Sequence, residues 1–260
     1  MNTVISKDGT RIAYNKTGSG PVVILVDGAF CSKDFGPMPK IAALLAEKFT
    51  VIAYDRRARG ESGDTQPYAI EREIEDIDAI IKVAGGSAGL FGISSGAILC
   101  IKAVAFGLNI HKLALLEPPF VGNKDGKRPI DATEQLTKMI AEGEKAKAVK
   151  FYLTKVIGVP AVFAFILKLT PNWPKMKAIA NSLPYDAAVC GDFNLPTAQT
   201  AAIKIPALVI DSTKSPGFLR NAVEATAKAL SNGSRLSLNG KVHDVPPNIL
   251  VPELIKFFNG

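Results

Sequence analysis

The stretch Ala88–Phe106, AGLFGISSGAILCIKAVAF, decides the architecture of this chain. A short apolar run at 88–91 meets a long one at 97–106 through Gly92-Ile93-Ser94-Ser95-Gly96. This order predicts a buried strand that turns sharply into a buried helix, with glycines where neighbouring backbones pass closely. G-x-S-x-G is the pattern of a nucleophile elbow, in which a strained turn lifts the serine hydroxyl above the sheet edge. We therefore expect Ser94 to be the nucleophile.

Composition restricts the class of protein. The chain has 260 residues, of which 47% are hydrophobic, enough for one main domain with an inserted subdomain. The net charge is +7, but lysine and arginine are dispersed without a basic run, so no nucleic-acid partner is expected. Three widely spaced cysteines without C-x-x-C predict neither a disulfide framework nor a zinc site. With no apolar stretch long enough to span a bilayer, we expect a soluble, cytoplasmic protein.

Strand and helix patterns alternate on both sides of the elbow. Asp8-Gly9 predicts an opening hairpin of two antiparallel strands. Apolar runs predict buried strands at Val22–Val26, Phe49–Tyr54, Ala88–Phe91, Leu113–Leu116, Ile205–Asp211 and Arg235–Leu238. Helical spacing predicts helices at about Pro37–Lys48, Tyr68–Ala84, Ala97–Phe106, Pro216–Leu230 and Asn248–Phe258. The alternation predicts an α/β fold, with a mostly parallel central sheet and helices on both faces.

The alternation stops between residues 121 and 200. Helix-like sequence at Asp131–Ala148, Phe151–Leu169 and Trp173–Leu183 is cut by prolines and contains no convincing strand. An insertion placed after a strand end is expected to form a helical cap over the site. The predicted organisation is a core of residues 1–120 and 201–260 with a cap insertion at 121–200. The aromatic side chains of the insertion are expected mainly to pack against one another.

Four segments in this order resemble the α/β-hydrolase superfamily over essentially the whole chain. They are Val26-Asp27-Gly28-Ala29, which is similar to the oxyanion turn; Tyr54 to Ser62, which is similar to D-x-R-G-x-G-x-S; the elbow; and Gly240-Lys241-Val242-His243, which is similar to the histidine loop. The resemblance implies the fold of that superfamily, with a catalytic triad at the elbow.

A serine nucleophile needs a base, and the chain contains two histidines, His111 and His243. His111 precedes a predicted strand, at the amino end of the sheet. His243 follows the last predicted strand, so its loop is expected at the carboxyl edge, where Ser94 also lies. His243 is therefore the predicted base.

The triad acid departs from the usual pattern of the family. Its ordinary position, after the strand at Ile205–Ile210, falls near Ser215, where no carboxylate stands. Glu117 ends the strand that follows the elbow helix, and the resemblance includes relatives with a glutamate there. Glu117 is the predicted acid, with Asp211 and Asp244 as alternatives.

The oxyanion turn also departs from the pattern, because Asp27 stands where the family usually has histidine. The expected donors are the backbone N–H groups of Ser95 and Ala29, with Phe30 as the alternative to Ala29. A carboxylate beside them would oppose developing negative charge unless Arg56 or Arg57 paired with it.

These residues predict a serine hydrolase that forms an acyl-enzyme with an ester, lactone or thioester of a small, largely apolar substrate. No cofactor and no metal are expected, and the oligomeric state is left open. Two alternatives remain: a small-molecule-binding homologue with slow or absent turnover, and a cofactor-free perhydrolase.

Overall fold

An eight-stranded sheet runs through the molecule, whose computed structural model describes residues 2–122, 128–129 and 131–260. In chain order the strands are β1 Asn2–Ile5, β2 Arg11–Thr17, β3 Val22–Val26, β4 Thr50–Tyr54, β5 Ala88–Ile93, β6 Ile110–Leu116, β7 Ala207–Ser212 and β8 Gly233–Leu238. Their spatial order is β1-β2-β4-β3-β5-β6-β7-β8. β2 is antiparallel to β1 and β4, whereas the strands from β3 to β8 are mutually parallel. The predicted mostly parallel sheet is confirmed.

Helices cover both faces of this sheet. The helices outside the long β6–β7 connection are α1 Met38–Leu45, α2 Ile70–Ala84, α3 Ser95–Ala105, α10 Gly217–Ala229 and α11 Pro247–Asn259. Side chains of α1 and α11 form the core on one face, and those of α2, α3 and α10 form the core on the other. Every residue of β5 is buried, as expected for a central strand covered on both faces.

We call the connection between β6 and β7 the helical insert. In its described residues the regular elements are all helices, without a strand. They are α4 Ala132–Ala141, α5 Lys145–Phe151, α6 Ala161–Lys168, α7 Asn172–Ala178, α8 Leu183–Cys190 and α9 Thr197–Ala201, with one π-helical turn at Tyr152–Val156 and one 3₁₀ turn at Ala180–Ser182.

The helix boundaries in the insert differ from those predicted. The helix expected at Asp131–Ala148 is broken at Gly143, which has a φ of +75°. The helix expected at Phe151–Leu169 is broken at Gly158, which has a φ of +78°. Because glycine adopts this left-handed conformation readily, each position ends one helix and starts a change of direction. α8 and α9 were not predicted.

Candidate active site

The elbow has the geometry that its sequence requires. Ser94 lies between β5 and α3 with φ 55° and ψ −123°, a strained conformation for a residue other than glycine. A Cβ on Gly96 would lie 2.3 Å from the carbonyl oxygen of Val26, so α3 approaches the end of β3 closely. A Cβ on Gly28 would lie 3.0 Å from that of Ser94. The turn after β3 therefore lies directly against Ser94.

The structure brings Glu117 and His243 together. Glu117 Oε2 accepts a hydrogen bond of 2.6 Å from the backbone N–H of His243, and His243 Nδ1 lies 2.9 Å from the same oxygen. Within the described residues Nδ1 makes no hydrogen bond of good geometry, although this distance is short enough for one. The Glu117 side chain is fully buried, whereas that of His243 is 32% exposed. The backbone of His243 is therefore fixed by Glu117, while its imidazole lies beside the carboxylate and is partly open to solvent.

The second carboxylate oxygen of Glu117, Oε1, is also hydrogen-bonded. Oε1 accepts a hydrogen bond of 2.9 Å from the backbone N–H of Ser212 and another from the Ser215 hydroxyl. Burial by itself raises the pKa of Glu117, but its contacts with His243, Ser215 and Ser212 outweigh burial and hold the pKa below the ordinary value of 4.5. Glu117 is consequently ionised at neutral pH and suited to hold an imidazole or stabilise an imidazolium.

Backbone strain is concentrated at this edge of the sheet. Among the described residues, six that are not glycine have a positive φ: Phe30, Ala58, Ser94, Glu117, Phe193 and His243. Four of these six are the site candidates Phe30, Ser94, Glu117 and His243. Such strain persists where the surrounding structure enforces it, and it is commonest at functional sites. This clustering points independently to the same residues as the motifs.

Ser94 and Glu117 are neighbours because Ile93 of β5 pairs with Leu116 of β6. The backbone N–H of Ser94 donates to the Leu116 carbonyl at 3.0 Å, which fixes the two strand ends side by side. In the described part of the chain no hydrogen bond joins Ser94 Oγ to the ring of His243. Unliganded sites of this kind often have long catalytic contacts that tighten when substrate binds.

The candidate oxyanion donors belong to the start of α3 and to the turn after β3. Ser95 is the first residue of α3, where backbone N–H groups have no partner within the helix. The N–H groups of Ala29 and Phe30 follow β3, and across the described residues no hydrogen bond engages them. Phe30 has a φ of +62°, and its ring packs edge-on against Tyr152 of the insert at 5.4 Å between centroids. The N–H groups of Ala29 and Phe30 thus have no partner within the described residues, as an oxyanion donor requires.

Asp27 is not paired as expected. Arg57 binds Asp76 and Asp8, and Arg56 reaches only the backbone carbonyl of Asp27, at 3.2 Å. The side chain of Asp27 is buried, and its Oδ1 has no hydrogen-bond partner in the described residues. Burial raises its pKa well above the ordinary value of 3.8, despite the nearby charges of Arg59 and Arg56. Burial therefore favours the neutral carboxyl of Asp27, which opposes an oxyanion less than an unpaired carboxylate does.

A buried ionic network beneath the elbow escaped the sequence analysis. Asp186 of α8 accepts hydrogen bonds from Arg56 at 2.8 Å, from Arg59 at 2.5 Å and from the Ser95 hydroxyl at 2.7 Å. Arg56 also forms a two-point ion pair with Glu73, at 2.6 and 2.7 Å. The signal in the sequence was that Asp186 is the only acidic residue between 145 and 191. The network attaches the helical insert to Ser95, whose backbone N–H is the candidate oxyanion donor.

The remaining candidates lie apart from the imidazole. Asp211 is engaged by Arg235 and Arg220 at 2.9 Å each and by Ser237 at 2.8 Å. Asp244 forms backbone hydrogen bonds with Lys241, and its side chain is exposed. His111 lies near the amino end of β6, with Nδ1 3.2 Å from the Ser87 hydroxyl. Of these carboxylates, Glu117 is the one in contact with His243.

A cavity of about 210 Å³ lies beside His243. Its lining is mostly apolar and comes from the β6 end, the helical insert, α10 and the histidine loop: Pro119, Val121, Arg128, Val156, Ile157, Val159, Phe193, Pro216, Phe218, Leu219, Val242 and His243. The Arg128 guanidinium stacks over Phe193 at 5.0 Å and donates to the carbonyls of Gly122 and Val156. No group of three or more His, Cys, Asp or Glu in the described residues is arranged to hold a metal ion.

Comparison with known proteins identifies relatives of this fold. The model of the alpha/beta hydrolase family matches residues 22–240. A solved alpha/beta hydrolase from Sphaerobacter thermophilus is 45% identical, covers 99% of this chain and 100% of its own, and has a TM-score of 0.92. The enol-lactonase from Burkholderia xenovorans is 19% identical with a TM-score of 0.73, and each chain is covered completely.

Among curated proteins, the uncharacterized hydrolase YraK of Bacillus subtilis is 27% identical over 57% of this chain and 56% of its own length. The chain thus spans about half the length of that curated relative. The elbow, the strand order and the matched residues 22–240 agree: the chain belongs to the alpha/beta hydrolase family.

Proposed function

We propose that the protein is a serine hydrolase that cleaves an ester-like bond in a small, largely apolar substrate through an acyl-enzyme. The observation that carries this proposal is the contact between Glu117 and His243 at the strand end beside Ser94. Glu117 Oε2 lies 2.6 Å from the backbone nitrogen of His243 and 2.9 Å from its Nδ1. The backbone hydrogen bond positions the histidine loop, and a carboxylate 2.9 Å from Nδ1 favours a proton on that nitrogen, which leaves Nε2 as the atom that accepts the proton of Ser94.

In the proposed reaction, His243 accepts the proton of Ser94 while the Ser94 oxygen attacks the acyl carbonyl. The N–H groups of Ser95 and Ala29 stabilise the oxyanion, and Phe30 is the alternative to Ala29. His243 then donates its proton to the leaving group, which breaks the ester bond and leaves an acyl-serine. Water, deprotonated by the same imidazole, hydrolyses that intermediate and restores the serine. Ionised Glu117 stabilises the imidazolium in both halves of the reaction.

We further propose that the helical insert, residues 121–200, acts as a cap on the core of residues 1–120 and 201–260. The apolar cavity beside His243 supports this proposal, because Val156, Ile157 and Val159 of the insert form part of its wall. At about 210 Å³ it is smaller than the roughly 300 Å³ or more typical of drug-sized ligands, which favours short acyl groups. Three free cysteines support a reducing compartment such as the cytoplasm.

A fluorophosphonate probe tests the activated serine directly. The native protein is expected to be labelled, and the Ser94→Ala and His243→Ala variants are expected to lose labelling. His111→Ala is the matched control, because it removes the other histidine, at the opposite edge of the sheet, and should leave labelling unchanged. A native protein that folds normally but takes up no label would favour the small-molecule-binding alternative.

Esters of p-nitrophenol with acyl chains of increasing length test the substrate class. We expect kcat/KM to be highest for short chains and to fall once the acyl group exceeds the cavity. A profile that rises steadily to long chains would contradict the assignment of this cavity to the acyl group. Turnover that survives Ser94→Ala would contradict the acyl-enzyme itself.

A further inference from the structure

Helix α6 of the insert carries an outward apolar face. Ala164 is its only buried residue, and the five apolar residues that are exposed by 50% to 73% are Val162, Phe163, Phe165, Ile166 and Leu169. Successive helical residues are about 100° apart, so these five occupy a continuous arc of about 160°. Exposed apolar clusters of this kind mark interaction sites more often than scattered single residues do.

The surroundings of this face are basic. Between residues 145 and 185 the sequence has no Asp, Glu or Arg and has seven lysines: Lys145, Lys147, Lys150, Lys155, Lys168, Lys175 and Lys177. Three of them, Lys147, Lys150 and Lys168, line an open groove of about 330 Å³ between α5, α6 and α7. Lys147 pairs with Glu144 at 2.6 Å, whereas Lys150 and Lys168 have no ion-pair partner among the described residues.

The positive charge of the lysines around α6 determines which kind of partner its apolar face can bind. A second copy of the chain would bring one lysine-rich face against another, so self-association is opposed by repulsion. Protein interfaces are depleted in lysine, whereas helices that lie in the surface of a bilayer combine lysine with Phe, Leu and other apolar residues. Anionic lipid headgroups attract nearby lysines, and the acyl chains below the headgroups can take up the apolar face.

We propose that α6 docks on the surface of an anionic lipid bilayer, with Phe163, Phe165 and their apolar neighbours inserted below the headgroups and Lys150 and Lys168 facing the lipid phosphates. The contact is peripheral: within the described residues no helix has the length and apolar character to cross a bilayer. The segment that leads into α6 supplies Val156, Ile157 and Val159 to the cavity beside His243. Docking therefore brings that cavity close to the lipid surface.

Cosedimentation with protein-free vesicles tests the proposal. We expect the full chain to bind vesicles of phosphatidylcholine mixed with phosphatidylglycerol, and to bind pure phosphatidylcholine vesicles more weakly. The Phe163→Ser/Phe165→Ser variant should lower the partition coefficient at least about tenfold, equivalent to about 1.4 kcal/mol. Lys150→Gln/Lys168→Gln should lower binding to anionic vesicles by a similar factor, and added salt should lower it further.

Controls separate this contact from other causes. Phe106→Ser removes a phenylalanine that is 60% exposed at the end of α3, outside the insert, and should leave binding unchanged. Ser94→Ala should also bind as the native protein does, because docking does not depend on the proposed chemistry. Circular dichroism checks that each variant is folded.

Three outcomes would overturn the proposal. The first is a native protein that does not bind anionic vesicles, which would leave an acidic protein as the occupant of the face. The second is unchanged binding after Phe163→Ser/Phe165→Ser. The third is a dimer in sedimentation velocity that this double variant dissociates, which would show that a second copy covers α6.

Discussion

At the scale of single residues, Glu117 holds the histidine loop in place. Its two carboxylate oxygens accept hydrogen bonds from the backbone N–H groups of Ser212 and His243 and from the Ser215 hydroxyl. These donors come from the ends of two elements that are distant in sequence. A single buried carboxylate therefore fixes the relative positions of the β6, β7 and β8 ends, in addition to its proposed role towards the imidazole.

Replacing this carboxylate tests both roles. We expect Glu117→Gln to lower kcat/KM for an ester roughly 10³-fold to 10⁴-fold, because a neutral amide neither stabilises an imidazolium nor selects its tautomer. Asp244→Asn is the matched control, since that exposed carboxylate lies one residue from His243 and should be dispensable. Steady-state kinetics with a p-nitrophenyl ester measures the difference, and unchanged turnover in Glu117→Gln would exclude it as the acid.

The pH dependence of stability gives a second readout of Glu117→Gln. Since the folded-state pKa of Glu117 is lowered, its ionisation stabilises the native state above the ordinary pKa of 4.5, and this contribution is lost as the pH falls below that value. The variant should therefore lose less free energy of unfolding than the native protein on acidification through this range, as measured by urea denaturation. Parallel curves for the two proteins would contradict the assignment.

The pKa of Asp27 is shifted in the opposite direction to that of Glu117, so its effect on stability has the opposite pH dependence. Because its pKa is raised in the folded state, the unfolded chain releases this proton first, and native stability falls as the pH rises above about 4. Asp27→Asn removes that penalty, so its gain in free energy of unfolding should increase with pH while ester hydrolysis is preserved. Thermal denaturation at acidic and alkaline pH, with Asp244→Asn as the exposed control, measures this. A gain that is the same at both pH values would show that Asp27 is ionised in the native state.

At the scale of elements, Asp186 joins α8 to two parts of the core: its ion pairs reach the segment after β4, and a hydrogen bond reaches α3. Asp186 binds Arg56, Arg59 and Ser95, and none of these side chains is exposed. Burial raises its pKa, but the charges of Arg59 and Arg56 and the hydrogen bond from Ser95 lower it to below the ordinary value of 3.8. The ionised carboxylate thus balances two buried guanidinium groups at the start of the elbow helix.

Asp186→Asn tests this link. The substitution replaces the Asp186 carboxylate by a neutral amide of the same shape. The free energy of unfolding should fall by about 3 kcal/mol, because two buried arginines lose a counter-charge. Asp192→Asn, an exposed aspartate of the same insert, should change stability by less than about 0.5 kcal/mol. Urea denaturation compares the two variants. A loss below about 1 kcal/mol in Asp186→Asn would mean that packing alone attaches α8 to the core.

The sequence predicted the strands of the sheet better than the helices of the insert. The strands from β3 to β7 were found because residues buried on both faces are almost continuously apolar. The break at Gly143 was missed, because apolar helical spacing continues across it while a positive φ interrupts the backbone. The break at Gly158 lies two residues before Pro160, one of the prolines expected to cut the insert, and α6 begins directly after that proline. α8 was missed because Pro184 suggested an end, whereas it occupies the first turn of a new helix, where proline is tolerated.

At the scale of the whole molecule, the parallel sheet accounts for what could be predicted of the site. Carboxyl ends of parallel strands meet at one edge, so the order of motifs in the sequence predicted that Ser94, Glu117 and His243 follow strand ends at the same edge of the sheet. The partners of Asp27 and Asp186 could not be predicted in this way. They depend on which buried charges the insert brings against the core, and tertiary packing alone determines that.

The Ser215 hydroxyl touches the carboxylate of Glu117, although the two residues follow different strands. A carboxylate placed after either β6 or β7 would therefore reach the same imidazole. Two point substitutions, at positions 117 and 215, would therefore move the proposed triad acid from one strand end to the next. Such an exchange would change the order of the proposed triad members along the gene while preserving their arrangement in space.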